Sequence, residues 1–290
     1  SQFLRDTAPD LVHCHSRRGA DLLGGLAASY ADIPAVVSRR VDNTEMRLLA
    51  TLRYKPFKKI IARANAIAAV LREHGVDEQR IAVIRSAVDA ESFAKQPDRA
   101  AFRAEFGIED GVFTIAAAGQ LIARKGHSYL LQAVAALARH HPSVRLIIFG
   151  EGALDTELRA QAASLGLGGV VQFAGFRDDL DEFVACFDLF AHPALAEGLG
   201  VATLKAAAAG VPVVGFDAGG LSEAVADGKT GILVPAEDVA ALEEAMRSLI
   251  DDEQMRMRMS VAGRERMQNE FSIDTMVTKH ESLYESVLNG

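Results

Sequence analysis

The sequence predicts an α/β protein made of parallel, doubly wound sheets in two domains. Three observations carry this. From Val112 onward, short apolar runs at 112–117, 144–149, 170–174, 187–192, 212–216 and 231–234 read as strands. Amphipathic stretches at 127–140, 153–164, 178–185, 201–209, 220–226 and 238–250 separate them as helices. Alternation at this spacing requires right-handed crossovers and a parallel sheet. A shorter series of the same kind comes first, and the polar stretch Lys95–Asp98, containing Pro97, reads as the linker between them. At 290 residues the chain is long enough for two cores.

Taken in order, a helix at Gln2–Leu4 leads through Pro9 into a strand at Leu11–His15. A helix at Ala20–Tyr30 and a strand at Ala35–Ser38 follow, then a strand at Lys59–Arg63, a helix at Asn65–His74 and a strand at Ile81–Arg85. His13 and His15 alternate onto one face of the first strand, but no third ligand stands at metal-binding spacing, so no metal is assigned. Between Arg39 and Arg63 eight basic residues (Arg39, Arg40, Arg47, Arg53, Lys55, Lys58, Lys59, Arg63) meet only Asp42 and Glu45. Asn43 or Thr44 can cap a helix there that carries Met46, Leu49, Ala50 and Arg53. The segment reads equally as a peripheral contact with an anionic membrane or phosphorylated acceptor and as a solvated face. Two tail helices, Glu253–Met267 and Ile273–Leu288, part at Phe271–Asp274, where Ser272 can cap the second.

Composition narrows the function. A net charge of −8 disfavours a general nucleic-acid binder. The two cysteines, Cys14 and Cys186, lie far apart in apolar runs and read as buried reduced thiols. Neither a signal peptide nor a run of about 20 apolar residues is present, so the expected location is cytoplasmic, with 39–63 as the candidate contact to the inner face of the membrane.

The stretch around which the chain is organised is Glu197–Gly220, EGLGVATLKAAAAGVPVVGFDAGG. A glycine-flanked turn opens an Ala-rich helix, Gly210 and Pro212 end it, and Val211–Phe216 follows as a buried strand. Such a turn directs unpaired backbone N–H groups and a positive helix end toward an open site, which suits phosphate. After strand 112–117 come Gly119 and Gln120, then Arg124, Lys125 and Gly126 just before a helix: two adjacent cations and a second helix start.

EGLG, AAAAGVPVV and GGLSE together resemble the E-x7-E segment of GT-B glycosyltransferases of the family 4, or group 1, type. The likeness continues in VDAESF (88–93), AAGQLIARKGHSYLLQA (117–133), LIIFGEGALDTEL (146–158), VQFAGFRDDL (171–180) and TGILVP (230–235), and covers nearly the whole chain. It implies two Rossmann-like domains. Residues 1–96 form the acceptor-side domain, which looks N-terminally incomplete. Residues 97–272 bind the donor, and the helix 273–290 crosses back to the first domain. The implied reaction is retaining transfer of a sugar from a nucleotide diphosphate-sugar to a hydroxyl of a glycan or lipid-linked acceptor, in bacterial polysaccharide biosynthesis, with no metal or other cofactor.

By the same resemblance Glu197 contacts the transferred sugar. Gly119, Arg124, Lys125 and the amides of Leu199 and Gly200 meet the diphosphate. Phe176, Arg177 and position 205 border the base and ribose, with Asp178 capping the next helix. His15, Ser16 and Arg40 face the acceptor. The chain departs from the pattern at Lys205, where an acid is usual, at Gln120, where Arg or Lys is usual, and at Arg40, which stands near a usual His. Lys205 has three donors and no acceptor, so it cannot pair with two ribose hydroxyls as a carboxylate does. That leaves a degenerate enzyme, ribose contacts that differ, or a Lys205 that faces phosphate; a carboxylate-shaped vacancy, which Lys205→Glu would fill, is the expectation put to test. These departures keep open a degenerate, non-catalytic nucleotide-sugar-binding or interaction protein. A nucleotide-sugar epimerase is the rival on the same fold.

Overall fold

A computed structural model of the chain describes residues 2–15, 20–39, 47–93 and 97–289. The chain divides into two compact units, Ser1–Ala87 with Ile273–Gly290, and Val88–Ser272.

In the first unit α1 (Gln2–Thr7), β1 (Val12–His15), α2 (Ala20–Tyr30), β2 (Ala35–Arg39), α3 (Arg47–Tyr54), β3 (Lys59–Ala62), α4 (Asn65–Glu73) and β4 (Ile81–Val83) follow one another. The sheet has the order β1-β2-β3-β4, and every pair is parallel. β2, AVVSR, is buried at all five residues, as a strand covered on both faces should be. Among the described strands the order follows the chain, each strand beside its predecessor.

The second unit begins with α5 (Arg99–Phe106), a helix absent from the sequence reading. Its signals are local nonetheless. Asp98 caps it by accepting from Ala101 N at 2.9 Å, and Gly107, at φ 64°, closes it. Phe102 and Phe106, four apart, bury against Phe149, Phe183 and Phe187. Then come β5 (Phe113–Ala118), α6 (His127–Leu137), β6 (Val144–Phe149), α7 (Asp155–Ser164), β7 (Val171–Gly175), α8 (Leu180–Phe183) and β8 (Leu189–His192). α9 (Val201–Ala208), β9 (Val213–Phe216), α10 (Leu221–Ala224), β10 (Gly231–Val234), α11 (Val239–Asp251) and α12 (Glu253–Glu270) complete it. The six strands are parallel in the order β10-β9-β8-β5-β6-β7. Strand order therefore reverses between β5 and β8. In an open parallel sheet that reversal leaves a crevice beyond the carboxyl ends of the strands.

The last helix, α13 (Ile273–Leu288), belongs to the first unit. Met276, Leu283, Tyr284 and Val287 lie against Val36, Ile61 and Ile84. A fully buried side chain of this size is worth roughly 1.5–3 kcal/mol, so even partial burial of four outweighs the differences in helix propensity along α13.

Candidate active site

The reversal point brings together residues far apart in sequence. Beyond β5 the chain passes Gly119 and Gln120, makes a 3₁₀ turn at Ala123–Lys125, and enters α6 through Gly126. Gly126 has φ 68°, and a Cβ there would sit 1.8 Å from the Pro193 carbonyl oxygen. Only glycine lets the start of α6 press so closely on the loop after β8. Leu195 N donates to Arg124 O at 2.8 Å and an Arg124 guanidinium N–H donates to Ala196 O at 3.2 Å, so the two loops are tied.

Glu197 sits at the centre of this junction. Its Oε2 accepts from Lys125 Nζ and, at 3.0 Å, from His192 Nε2. Its Oε1 accepts from Gly198 N at 3.1 Å. Gly220 N donates to the Glu197 carbonyl at 2.8 Å, and a Cβ on Gly219 would lie 2.3 Å from that same oxygen. The second glycine pair of the motif thus clamps the acid's backbone. Burial works to raise the Glu197 carboxyl, but the hydrogen bonds from His192 and Lys125 and the Lys125 charge outweigh it and hold it well below the usual carboxylate range. Burial keeps His192 below the usual imidazole range despite Glu197 beside it. A neutral His192 facing an ionised, acceptor-only carboxylate must carry its proton on Nε2.

Behind this pair lies His127, the first residue of α6 and only 4 % exposed. Among the described residues neither ring nitrogen has a hydrogen-bond partner in good geometry. Burial, with His192 and Lys125 nearby, pushes its pKa down to about 4, against a weaker pull from the Gln120 backbone. Sequence reasoning passed over both histidines. His192 announced itself only as a polar residue ending an apolar strand, and His127 as the residue after Lys125-Gly126.

On the other side of β5 a cavity of about 590 Å³ is lined by Gly119, Gln120, Gly150, Glu151, Phe176 and Arg177, among others. A neighbouring one of about 330 Å³ is bordered by Phe176, Arg177, Asp181, Val201 and Lys205. Phe176 is 65 % exposed, free to form a wall. Arg177 is already engaged. Its guanidinium donates to both oxygens of Asp179 at 2.7 and 2.6 Å and to Glu105 at 2.6 Å, a residue of the unforeseen α5. The cap of α8 falls at Asp179, not Asp178, and no side chain makes the capping bond. The expected vacancy at position 205 is also corrected: Lys205 Nζ donates to the Asp181 oxygens at 2.8 and 2.6 Å. A carboxylate at 205 would face another carboxylate. Leu199 is 4 % exposed, and Gly200, at φ 78°, is the cap of α9.

In the first unit His15 is exposed at the end of β1, its ring centroid 4.3 Å from that of His13. His13 bonds Tyr284 Oη at 2.7 Å and Ser38 Oγ at 2.8 Å. These residues line a cavity of about 500 Å³ with Arg63, Arg85, His280 and Glu281. Ser16 and Arg40 lie outside the described residues. Among the described residues no three His, Cys, Asp or Glu side chains converge as metal ligands would. The basic segment is less of a surface than its charge suggests. Arg39 is 1 % exposed and donates to Tyr54 Oη at 2.8 Å, Lys59 donates to Gln79 O at 2.7 Å, and Lys55 and Lys58 are exposed. No helix among the described residues is long and apolar enough to cross a membrane.

Residues 98–266 match the model of glycosyl transferases group 1, and residues 1–92 that of glycosyltransferase family 4. The chain belongs to the group 1 glycosyltransferases. This group 1 chain is 37 % identical, over 61 % of its length and 49 % of the relative's, to a GDP-mannose-dependent phosphatidylinositol monomannoside mannosyltransferase of Mycolicibacterium smegmatis. It is 26 % identical, over 94 % of its length and 79 % of the relative's, to a lipopolysaccharide core mannosyltransferase of Rhizobium meliloti. With glycogen synthase of Mycobacterium tuberculosis it shares 30 % identity over 99 % of its length and 71 % of that enzyme. It thus spans about half the length of the first of these relatives and more of the others. Among solved structures, Anabaena Alr3699/HepE in complex with UDP superposes with a TM-score of 0.89 at 23 % identity, over all of this chain and 80 % of that one. The lipopolysaccharide glycosyltransferase WaaG superposes with 0.75 at 21 % identity, over all of this chain and 80 % of that one. The fold is GT-B.

Proposed function

We propose that this group 1 glycosyltransferase moves a sugar from a nucleoside diphosphate-sugar to a hydroxyl of a glycan or lipid-linked acceptor, with retention of anomeric configuration. The observation that carries the reading is the Lys125–Glu197–His192 cluster, set at the strand-order reversal beside the start of α6. Lys125 spends one of its three donors on Glu197 and keeps two for the diphosphate, with Arg124 and the first amides of α6 beside it. These groups stabilise the charge that builds on the phosphate as the C1–O bond breaks. Glu197 has both oxygens engaged and stays ionised, so it orients the sugar and does not attack it. The acceptor oxygen bonds to C1, the sugar–phosphate bond breaks, and the acceptor proton passes to the departing phosphate oxygen on the same face.

The donor class draws support from the Anabaena protein's complexes with UDP and UDP-glucose and from relatives described as GDP-mannose-dependent. The phosphatidylinositol mannoside and lipopolysaccharide core enzymes support a lipid-linked acceptor class. Calorimetry with UDP-glucose and GDP-mannose tests donor binding, and NMR of the transferred sugar reads the anomeric outcome. Binding of neither donor would remove the reading, and an inverted product would remove the retaining mechanism.

A further inference from the structure

The cavity of about 330 Å³ beside Phe176 holds a pair of charges with no part in the diphosphate chemistry. Lys205 on α9 and Asp181 on α8 are bonded through both carboxylate oxygens at 2.8 and 2.6 Å. They line one cavity with Phe176, Leu180, Phe190 and Val201. Their side chains are 37 % and 47 % exposed, and an ion pair so exposed adds little to stability. What it supplies is direction. Each Asp181 oxygen takes one N–H from Lys205 and keeps a second lone-pair site open. Two acceptors on one planar group, held in place by a cation, match two neighbouring hydroxyls on a five-membered ring. Lys205, without an acceptor, cannot make that match alone. Beside the pair stands the uncovered ring of Phe176, and exposed aromatic faces stack on nucleic-acid bases whatever their identity. A ribonucleoside presents the complementary features, one flat base and one vicinal diol.

We propose that Asp181, oriented by Lys205, accepts hydrogen bonds from the 2′- and 3′-hydroxyls of a ribonucleotide whose base lies on Phe176. The donor is then a ribonucleoside diphosphate-sugar, and deoxyribonucleoside diphosphate-sugars are discriminated against. The inference rests on the donor-binding reading given above. Asp181 is the binding residue and Lys205 its positioning residue. A site built around a substrate hydroxyl rejects the analogue lacking it, because its polar groups are left unpaired. In a half-exposed crevice the expected preference is about tenfold, well short of the largest such ratios.

The experiment measures binding of UDP, GDP and ADP to the full chain by calorimetry, then the 2′-deoxy and 3′-deoxy forms of whichever binds. The wild type should favour the ribonucleotide about tenfold. Asp181→Ala should bring the ratio of ribo to deoxy affinity close to one by weakening the ribonucleotide more than either deoxy form, each of which keeps one of the two hydroxyls. Lys205→Met should lower the ratio partway, and Lys205→Glu, which sets two carboxylates together, should weaken ribonucleotide binding further. Unchanged melting temperatures would show that the fold is intact. A ratio that survives Asp181→Ala, or a wild type indifferent to the hydroxyls, would overturn the inference and leave the donor reading standing. Failure of all three ribonucleotides to bind would overturn the donor reading, and this inference with it.

Discussion

His127 offers a test of the buried cluster that needs no substrate. The folded chain holds its pKa at about 4, against an ordinary 6.5. The folded state therefore resists a proton that the unfolded chain accepts. Stability from this residue is complete above pH 6.5 and is lost as pH falls toward 4. The full separation corresponds to about 3 kcal/mol, and by pH 4.5 about 2.5 kcal/mol of it should be gone. His127→Leu removes the titration and keeps an apolar side chain of similar size at a position 4 % exposed. At pH 7.5 the variant should match the wild type to within about 1 kcal/mol, since it removes two buried polar atoms that have no hydrogen-bond partner among the described residues. Near pH 4.5 it should be the more stable by about 2 kcal/mol, because it escapes the proton-linked loss. Urea unfolding at the two pH values measures both quantities, and titrations common to both proteins, including His192 and Glu197, largely cancel in the difference. Equal pH dependence in variant and wild type, or a His127 NMR resonance titrating near 6.5, would refute the reasoning.

Other outcomes follow from the same geometry. Lys125→Met leaves the Glu197 carboxylate without its cation and the diphosphate without a donor. Loss of one charge-assisted hydrogen bond, about 1.5–3 kcal/mol, should weaken nucleoside diphosphate binding roughly ten- to a hundredfold by calorimetry. Gly126→Ala forces a left-handed backbone on a residue whose Cβ meets Pro193 O at 1.8 Å, so urea unfolding should register a loss above about 2 kcal/mol. Nucleoside diphosphate affinity should be the same in EDTA as in Mg²⁺, because cationic side chains and helix amides are proposed to meet the phosphate charge. Binding abolished by EDTA and restored by metal would contradict that.

Much of the fold was written in local pattern. β6 and β10 fall where the apolar runs placed them, and α2 and α13 occupy the predicted spans, because strand and helix periods are properties of a few successive residues. α5 was equally local, signalled by Asp98, the Phe102–Phe106 spacing and Gly107, yet it falls between the linker at Lys95–Asp98 and the first strand of the second series, where no element was assigned. The glycines of the motif were legible too, since a glycine before a helix has few physical reasons. What each glycine approaches was not: Pro193 for Gly126 and the Glu197 carbonyl for Gly219 come from elsewhere in the chain.

The sequence by itself determined the parallel α/β architecture, the placing of Glu197, Arg124 and Lys125 at strand and helix ends, and the departure at Lys205. Tertiary structure alone decided how those residues meet. Lys125 and Glu197 are 72 positions apart and touch only because β5 lies beside β8, an adjacency set by strand order and not by any residue period. The same packing surrounds His192 and His127 with protein, burying imidazoles that composition would leave titrating near neutrality. It turns Arg39 inward to Tyr54, removing a cation from the supposed basic surface. It also gives Lys205 a partner in Asp181, on another helix. Charge and hydrogen bonding act over a few ångströms of space, and only the folded chain specifies which residues share them.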